Sequence, residues 1–112
     1  MDMTKLKTDI EKLAKQELER GTKYYGPHTS THQAYGVLKE ENEESEAEIA
    51  DFSYALSLLW EAVKADDYSA MKNELERVKM HLTDCIAESI QALAMVYKFE
   101  NYLKEVNGGS EK

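Results

Sequence analysis

The sequence predicts an all-α protein, an antiparallel helical bundle of three to five helices with two long ones, completed by oligomerisation. Three observations carry this. Apolar residues recur mostly at spacings of three to four rather than in strict alternation. Pro27 is the only proline, so no proline interrupts the chain from His28 onward. Five glycines in 112 residues are too few breakers for a many-turned β-sandwich or barrel.

The first helix is expected over residues 4–20, where Leu6, Ile10, Leu13 and Leu18, with Ala14 between, share one helical face. Thr4 or a Thr8/Glu11 capping box would start it, and Gly21 would supply a left-handed stop. Residues 21–30, GTKYYGPHTS, read as the one substantial loop, and they carry Lys23, Tyr24, Tyr25 and His28. Ser30 and Gln33 match capping-box spacing, and Val37, Leu38, Phe52, Ala55, Leu56, Leu59 and Val63 extend a second helix over 31–64. Asp66, Asp67 and Ser69 favour turns or N-caps, so a short connection leads to an antiparallel third helix over 68–105. Its apolar stripe centres on Leu75, Leu82, Ile86 and Leu93. The length of these two helices implies a break or a partner subunit, and residues 107–112 are expected to form a mobile tail.

Fourteen basic residues against 22 acidic ones give a net charge of −8, which opposes a basic footprint on duplex nucleic acid or an anionic membrane. The N-terminal stretch, Met1 to Glu11, mixes charges and lacks the continuous apolar run of a signal peptide. No window reaches a spanning length of about 18 apolar residues. With one cysteine, Cys85, an internal disulfide is excluded, and the expected location is a reducing, cytoplasmic one. Cys85 itself reads as buried and inert, and Tyr54, Trp60 and the methionines as core or interface.

Between Glu40 and Asp51 the chain has seven acids and no base. Such a run is usually a solvated helix face, but here its position matters. At about 100° per residue, the stripe of the second helix projects back onto Leu38, Glu41, Ser45 and Glu48, with Glu44 at its border. Inward carboxylates require basic partners, an aqueous cleft or a bound metal. Glu41 and Glu44 stand one turn apart, a spacing that suits oxygen ligation of a hard cation. On the third helix, Asp84, Glu88, Gln91, Met95 and Lys98 form a separate, mostly polar line.

The segments HQAYGVLKEENEE, residues 32–44, and AESIQALAMVYKF, residues 87–99, resemble the two signature segments of the MazG-like nucleotide pyrophosphohydrolases, especially phage-type members. The resemblance covers about residues 30–105. It implies an all-α fold in which an EExxE helix faces an ExxD helix, and hydrolysis of nucleoside triphosphates to monophosphate and pyrophosphate. Glu40, Glu41 and Glu44 fit EExxE as written. Glu88 fits the Glu of the second motif, while Gln91 stands at its Asp position, giving ExxQ.

On that resemblance Glu41, Glu44, Glu88 and the Gln91 amide oxygen would hold Mg²⁺, with Mn²⁺ as a possible substitute. Glu40 would support the ligands or act as base. Lys98 and Lys23 would meet phosphate oxygens, and His32 and Tyr35 would approach the substrate or serve capping and packing. The partners implied are a nucleotide and further copies of the chain, as dimer or tetramer. The alternative is a non-catalytic helical interaction module on the same scaffold, its acidic run docking a basic partner. A plain antiparallel coiled coil sits poorly with carboxylates on the apolar stripe.

Overall fold

The computed structural model describes residues 2–110, with side chains except at Tyr24 and residues 108–110. It consists of three helices, α1 (Thr4–Tyr25), α2 (Thr31–Lys64) and α3 (Tyr68–Ser110), with no strand among the described residues. The fold is an all-α helical bundle.

Helix α1 opens where the Asp2 carboxylate accepts the Thr4 backbone N–H at 2.9 Å and the Thr4 hydroxyl. Thr8 is already inside the helix and donates its hydroxyl to the Thr4 carbonyl at 3.0 Å, so it does not head a capping box with Glu11. The expected stop at residue 20 is also corrected. A mid-helix glycine costs only about 1 kcal/mol against alanine, and α1 runs through Gly21 to Tyr25. Gly26, at φ 71°, ends it, and its N–H bonds the Thr22 carbonyl at 2.9 Å. Lys23 and Tyr25 therefore belong to the helix, and the loop shrinks to residues 26–30.

Ser30 caps α2 by accepting the Gln33 N–H at 3.0 Å. The returning Gln33 side chain takes the Thr29 N–H at 2.7 Å, closing the box one residue outside the cap. At the other end α2 stops in a Schellman motif. The Asp67 N–H reaches the Ala62 carbonyl at 3.0 Å, the Asp66 N–H reaches Val63 at 3.1 Å, and Asp66 takes the left-handed conformation at φ 51°. Asp67 then caps α3 through its carboxylate, which accepts the Ala70 N–H at 3.0 Å. Two adjacent aspartates thus divide the work of one sharp reversal.

Helix α3 shows no break and continues past Asn107 to Ser110. This corrects the expected end near residue 105 and the expected tail as far as residue 110; residues 111 and 112 lie outside the described residues.

Contacts divide the chain into two compact units, Met1–Asn42 with Ser89–Lys112, and Glu43–Glu88. In the first, Ala14, Ala34 and Ala94 are fully buried, surrounded by half-buried Ile10, Leu18, Val37, Leu38, Leu93 and Phe99. The inward face of α1 runs through Ile10, Ala14, Glu17 and Leu18, whereas Leu6 and Leu13, both expected on it, are exposed.

In the second unit Ala55 and Ala62 are buried. The inward row of α2 is Ser45, Glu48, Phe52, Ala55, Leu59 and Ala62, and Glu44 is exposed. On α3 the inward row is Met71, Glu74, Val78, His81, Cys85 and Glu88. The expected stripe through Leu75, Leu82 and Ile86 is instead exposed, because polar residues that find partners, such as His81 with Glu48, occupy the inward positions. Cys85 is half-buried rather than buried, and Tyr54, Leu56 and Trp60 are exposed.

Asp66→Gly, which relieves the left-handed strain, should raise the melting temperature, a gain of up to about 1 kcal/mol. Asp67→Ala, which removes the α3 cap, should lower it by about 1 kcal/mol. Thermal denaturation followed by far-UV circular dichroism measures both.

Candidate functional site

A cleft of about 470 Å³ opens in the first unit. Each helix lines it with residues three or four apart, so that one narrow stripe of each is used: Glu17, Arg20 and Gly21 from α1, Gln33, Val37, Glu40 and Glu41 from α2, Gln91, Met95 and Lys98 from α3. Tyr25, Pro27 and His28 complete it from the end of α1 and the following loop. Three carboxylates, two cations and two amides thus share a wall otherwise lined by Val37, Met95, Tyr25 and Pro27.

Glu17 organises one side. A single carboxylate oxygen accepts the Arg20 guanidinium at 2.7 Å and the Gln91 amide N–H₂ at 2.7 Å. The Arg20 bond, and then the Gln91 bond, hold the Glu17 carboxyl below its ordinary range, so it stays ionised. Because Gln91 spends its nitrogen on Glu17, its carbonyl oxygen is the atom available to a ligand.

His28 lies on the loop side and is only 5% exposed. Its ring meets Phe99 edge to face, with centroids 6.5 Å apart and planes at 72°. The Nε2 atom is buried and has no hydrogen-bond partner. Burial first, and the Lys98 charge second, push the imidazole below the ordinary histidine value of 6.5, against an opposing hydrogen bond with Gln33.

Of the residues singled out in the sequence, Glu40, Glu41, Gln91 and Lys98 come together here. Lys23, His32 and Tyr35 do not line the cleft and are exposed. The reason is angular. On α2 the cleft face passes through residues 33, 37, 40 and 41, and residues 32 and 35 are turned roughly 100–200° from it. Lys23 is carried away by the extension of α1. Glu17, Arg20, His28 and Gln33 were not legible as site residues. The spacing of Glu17 and Arg20 signals a surface ion pair, Gln33 signals a cap, and the Gln91 partner of Glu17 lies 74 positions away.

The second unit holds two further groups. Glu44 and Glu88 bring carboxylate oxygens within 4.8 Å of each other. An all-oxygen pair of this kind fits a hard divalent cation such as Mg²⁺. On their helices Glu44 follows Glu41 by three residues and Glu88 precedes Gln91 by three. Glu48, Asp51 and His81 form a mixed nitrogen and oxygen group within the same limit, and His81 Nδ1 lies 3.2 Å from Glu48 Oε2. That contact already satisfies the imidazole as an ion pair or hydrogen bond.

Comparison with family models, curated proteins and solved structures finds no match to this chain. Among the described residues, no helix is long and apolar enough to cross a membrane.

The depressed His28 value has a consequence for stability. The folded state holds the ring neutral more firmly than the unfolded state does, so its contribution is full above pH 6.5 and is lost as the pH falls below that. Between pH 7.5 and 5.5 the wild-type melting temperature should therefore fall further than that of His28→Phe, as read in paired thermal melts.

Proposed function

We propose that the chain is a MazG-like nucleotide pyrophosphohydrolase of the phage type, which converts a nucleoside triphosphate to the monophosphate and pyrophosphate with Mg²⁺ or Mn²⁺. The observation that carries this reading is the cleft of the first unit, where Glu40 and Glu41 share a wall with Gln91, Lys98 and Arg20. These residues come from three separate helices, and their charges suit an anionic ligand brought in with a cation. The oxygen pair of Glu44 and Glu88 adds support, as the donor set a hard cation takes.

In this reading Glu44 and Glu88 are the carboxylates that hold the metal, and Glu41 and the Gln91 amide oxygen are assigned as further ligands by the resemblance alone. When bound, the ion neutralises phosphate charge and polarises the attacking water. Lys98 and Arg20 take phosphate oxygens, offsetting part of the roughly four negative charges that a triphosphate carries. Water attacks the α-phosphorus, the bond to the α–β bridging oxygen breaks, and pyrophosphate leaves. Glu40 accepts the proton of the water. Positioning and charge neutralisation supply most of the rate, and no covalent nucleophile is required.

Self-association belongs to the same reading. No large side chain among the described residues is fully buried, while Leu56, Trp60, Leu75 and Ile86 of the second unit are each about half exposed. A second copy would cover such surface. A cytoplasmic setting accords with a sequence whose single cysteine, Cys85, cannot form an internal disulfide. The competing reading is a helical interaction module without turnover. It is favoured by Gln91, whose neutral amide replaces a carboxylate and is already engaged by Glu17.

Incubation with Mg²⁺ and a panel of ribo- and deoxynucleoside triphosphates should release pyrophosphate from at least one of them, and Glu41→Gln and Glu88→Gln should each lower the rate by about 10²-fold or more. Activity unchanged in both variants would eliminate the assigned ligands. Divalent ion at about 100 times its Kd should also stabilise the fold by about 2.7 kcal/mol, whereas the interaction module predicts little metal effect on melting. On size-exclusion chromatography with light scattering, the wild type should run as a dimer or tetramer and Trp60→Glu as a smaller species.

A further inference from the structure

Glu17 belongs to α1, outside the stretch of chain that the resemblance covers, and the chemistry just proposed gives it no part. Its contacts give it one. Three bonds converge on a single oxygen, Oε2: from Arg20 Nε at 3.2 Å, from Arg20 Nη2 at 2.7 Å and from the Gln91 amide nitrogen at 2.7 Å. All three residues line the cleft and lie in the first unit. The Arg20 pair spans three residues of one helix, a contact that helix surfaces make without any further role. The Gln91 bond is of another kind. It joins α1 to α3 across 74 positions, and the Glu17 side chain is only 30% exposed, so water competes less for it than at an open surface.

An ionised carboxylate can only accept hydrogen bonds, so Gln91 has to turn its N–H₂ to Glu17 and its carbonyl oxygen elsewhere. Flipping the amide would set oxygen against oxygen and forfeit a charge-assisted bond. With a neutral residue at position 17 the two orientations would compete, and the nitrogen would face the cleft part of the time. The distinction matters because a hard divalent cation takes amide oxygen and not amide nitrogen. Glu40 and Glu41, on the same wall, present oxygen whichever way they turn; Gln91 does so only when it is held.

We infer that Glu17 is a positioning residue: it locks the Gln91 amide with its oxygen toward the cleft, and so makes a neutral side chain a fixed oxygen donor for the divalent cation. This rests on the hydrolase reading above and extends its site to α1, through a residue that acts only by way of another side chain.

A double-mutant cycle separates this role from the plain charge of Glu17. Wild type, Glu17→Gln, Gln91→Leu and the double variant are titrated with Mn²⁺ alone by isothermal calorimetry at pH 7.5, and melting temperatures are recorded in parallel. Glu17→Gln keeps the size of the side chain, and Gln91→Leu removes the amide while leaving Glu17 on Arg20. Each single variant should bind Mn²⁺ about five- to tenfold more weakly than the wild type, and the double variant no more than about twofold more weakly than Gln91→Leu, since Glu17 then has no amide to orient. A carboxylate that attracted the cation directly, or that merely neutralised Arg20, would weaken binding by the same factor in both backgrounds.

Equal factors in the two backgrounds, or unchanged affinity in either single variant, overturn the inference and leave the hydrolase reading intact. A wild type that binds no Mn²⁺ overturns the inference, and one that in addition releases no pyrophosphate from any nucleotide overturns the hydrolase reading with it. Should a variant melt far below the wild type, nuclear magnetic resonance of the wild type decides: the Gln91 side-chain N–H₂ should show cross-relaxation with the Glu17 γ protons, and the Gln91 amide carbon should shift when Mg²⁺ is added. Failure of either response overturns the inference.

Discussion

One oxygen of Glu17 receives both the Arg20 guanidinium and the Gln91 amide, each at 2.7 Å, and the first unit's cleft takes its polarity from that pairing. The interaction ties α1 to α3 through a charge-assisted contact. It also settles a question that an amide cannot settle for itself. A glutamine presents oxygen and nitrogen with nearly the same shape, and only its partners decide which way round it lies. With the nitrogen held by a carboxylate, the oxygen is the end left to act as a ligand, which is the one respect in which glutamine can substitute for an acid. Glu17 therefore sets which atom Gln91 presents to the cleft.

The alanines explain how such polar walls are tolerated. Among the described residues, Ala14, Ala34 and Ala94 are the fully buried apolar ones of the first unit, and Ala55 and Ala62 are the buried apolar ones of the second. Short side chains allow helices close approach, at the small end of the usual interaxial range. Longer polar residues flanking them, such as Glu41, Glu48 and Gln91, then remain only half-buried and keep some access to water. Burying alanines alone removes little apolar surface, so each unit depends more than usual on hydrogen bonds, caps and further covering surface.

Local chemistry made much of this legible. The bounds of α2 follow from Ser30 on one side and the Asp66–Asp67 pair on the other, because caps and turn formers act within a few residues. Helical spacing alone also grouped Gln91, Met95 and Lys98, and placed Glu41, Ser45 and Glu48 on the inward face with Glu44 at its border, where the structure leaves Glu44 exposed. Gly21 misled because glycine stops a helix only where a left-handed conformation is adopted, and Gly26 was the residue that adopted it. The inward face of α3 was misjudged for a different reason. Hydropathy favoured Leu75, Leu82 and Ile86, but His81 gains a partner in Glu48, and pairing across helices is invisible to a scale that scores residues singly. The same limit hid Glu17 and His28, whose significance arises only from contacts distant in sequence.

The tight reversal between α2 and α3 has a bearing on how this chain can change over time. Its geometry commits the carbonyls of Ala62, Val63 and Asp67, the amides of Ala65, Asp66, Asp67 and Ala70, and the Asp67 carboxylate. One residue added there would rotate everything downstream in the hairpin by about 100°, turning His81 away from Glu48 and bringing Met80 into its place. Length variation is thus far more disruptive at this corner than substitution. Lineages sharing this architecture should keep a capping side chain at position 67 and conserve the spacing of the bend to the residue, so the gap pattern of an alignment would be a more faithful marker of kinship than identity.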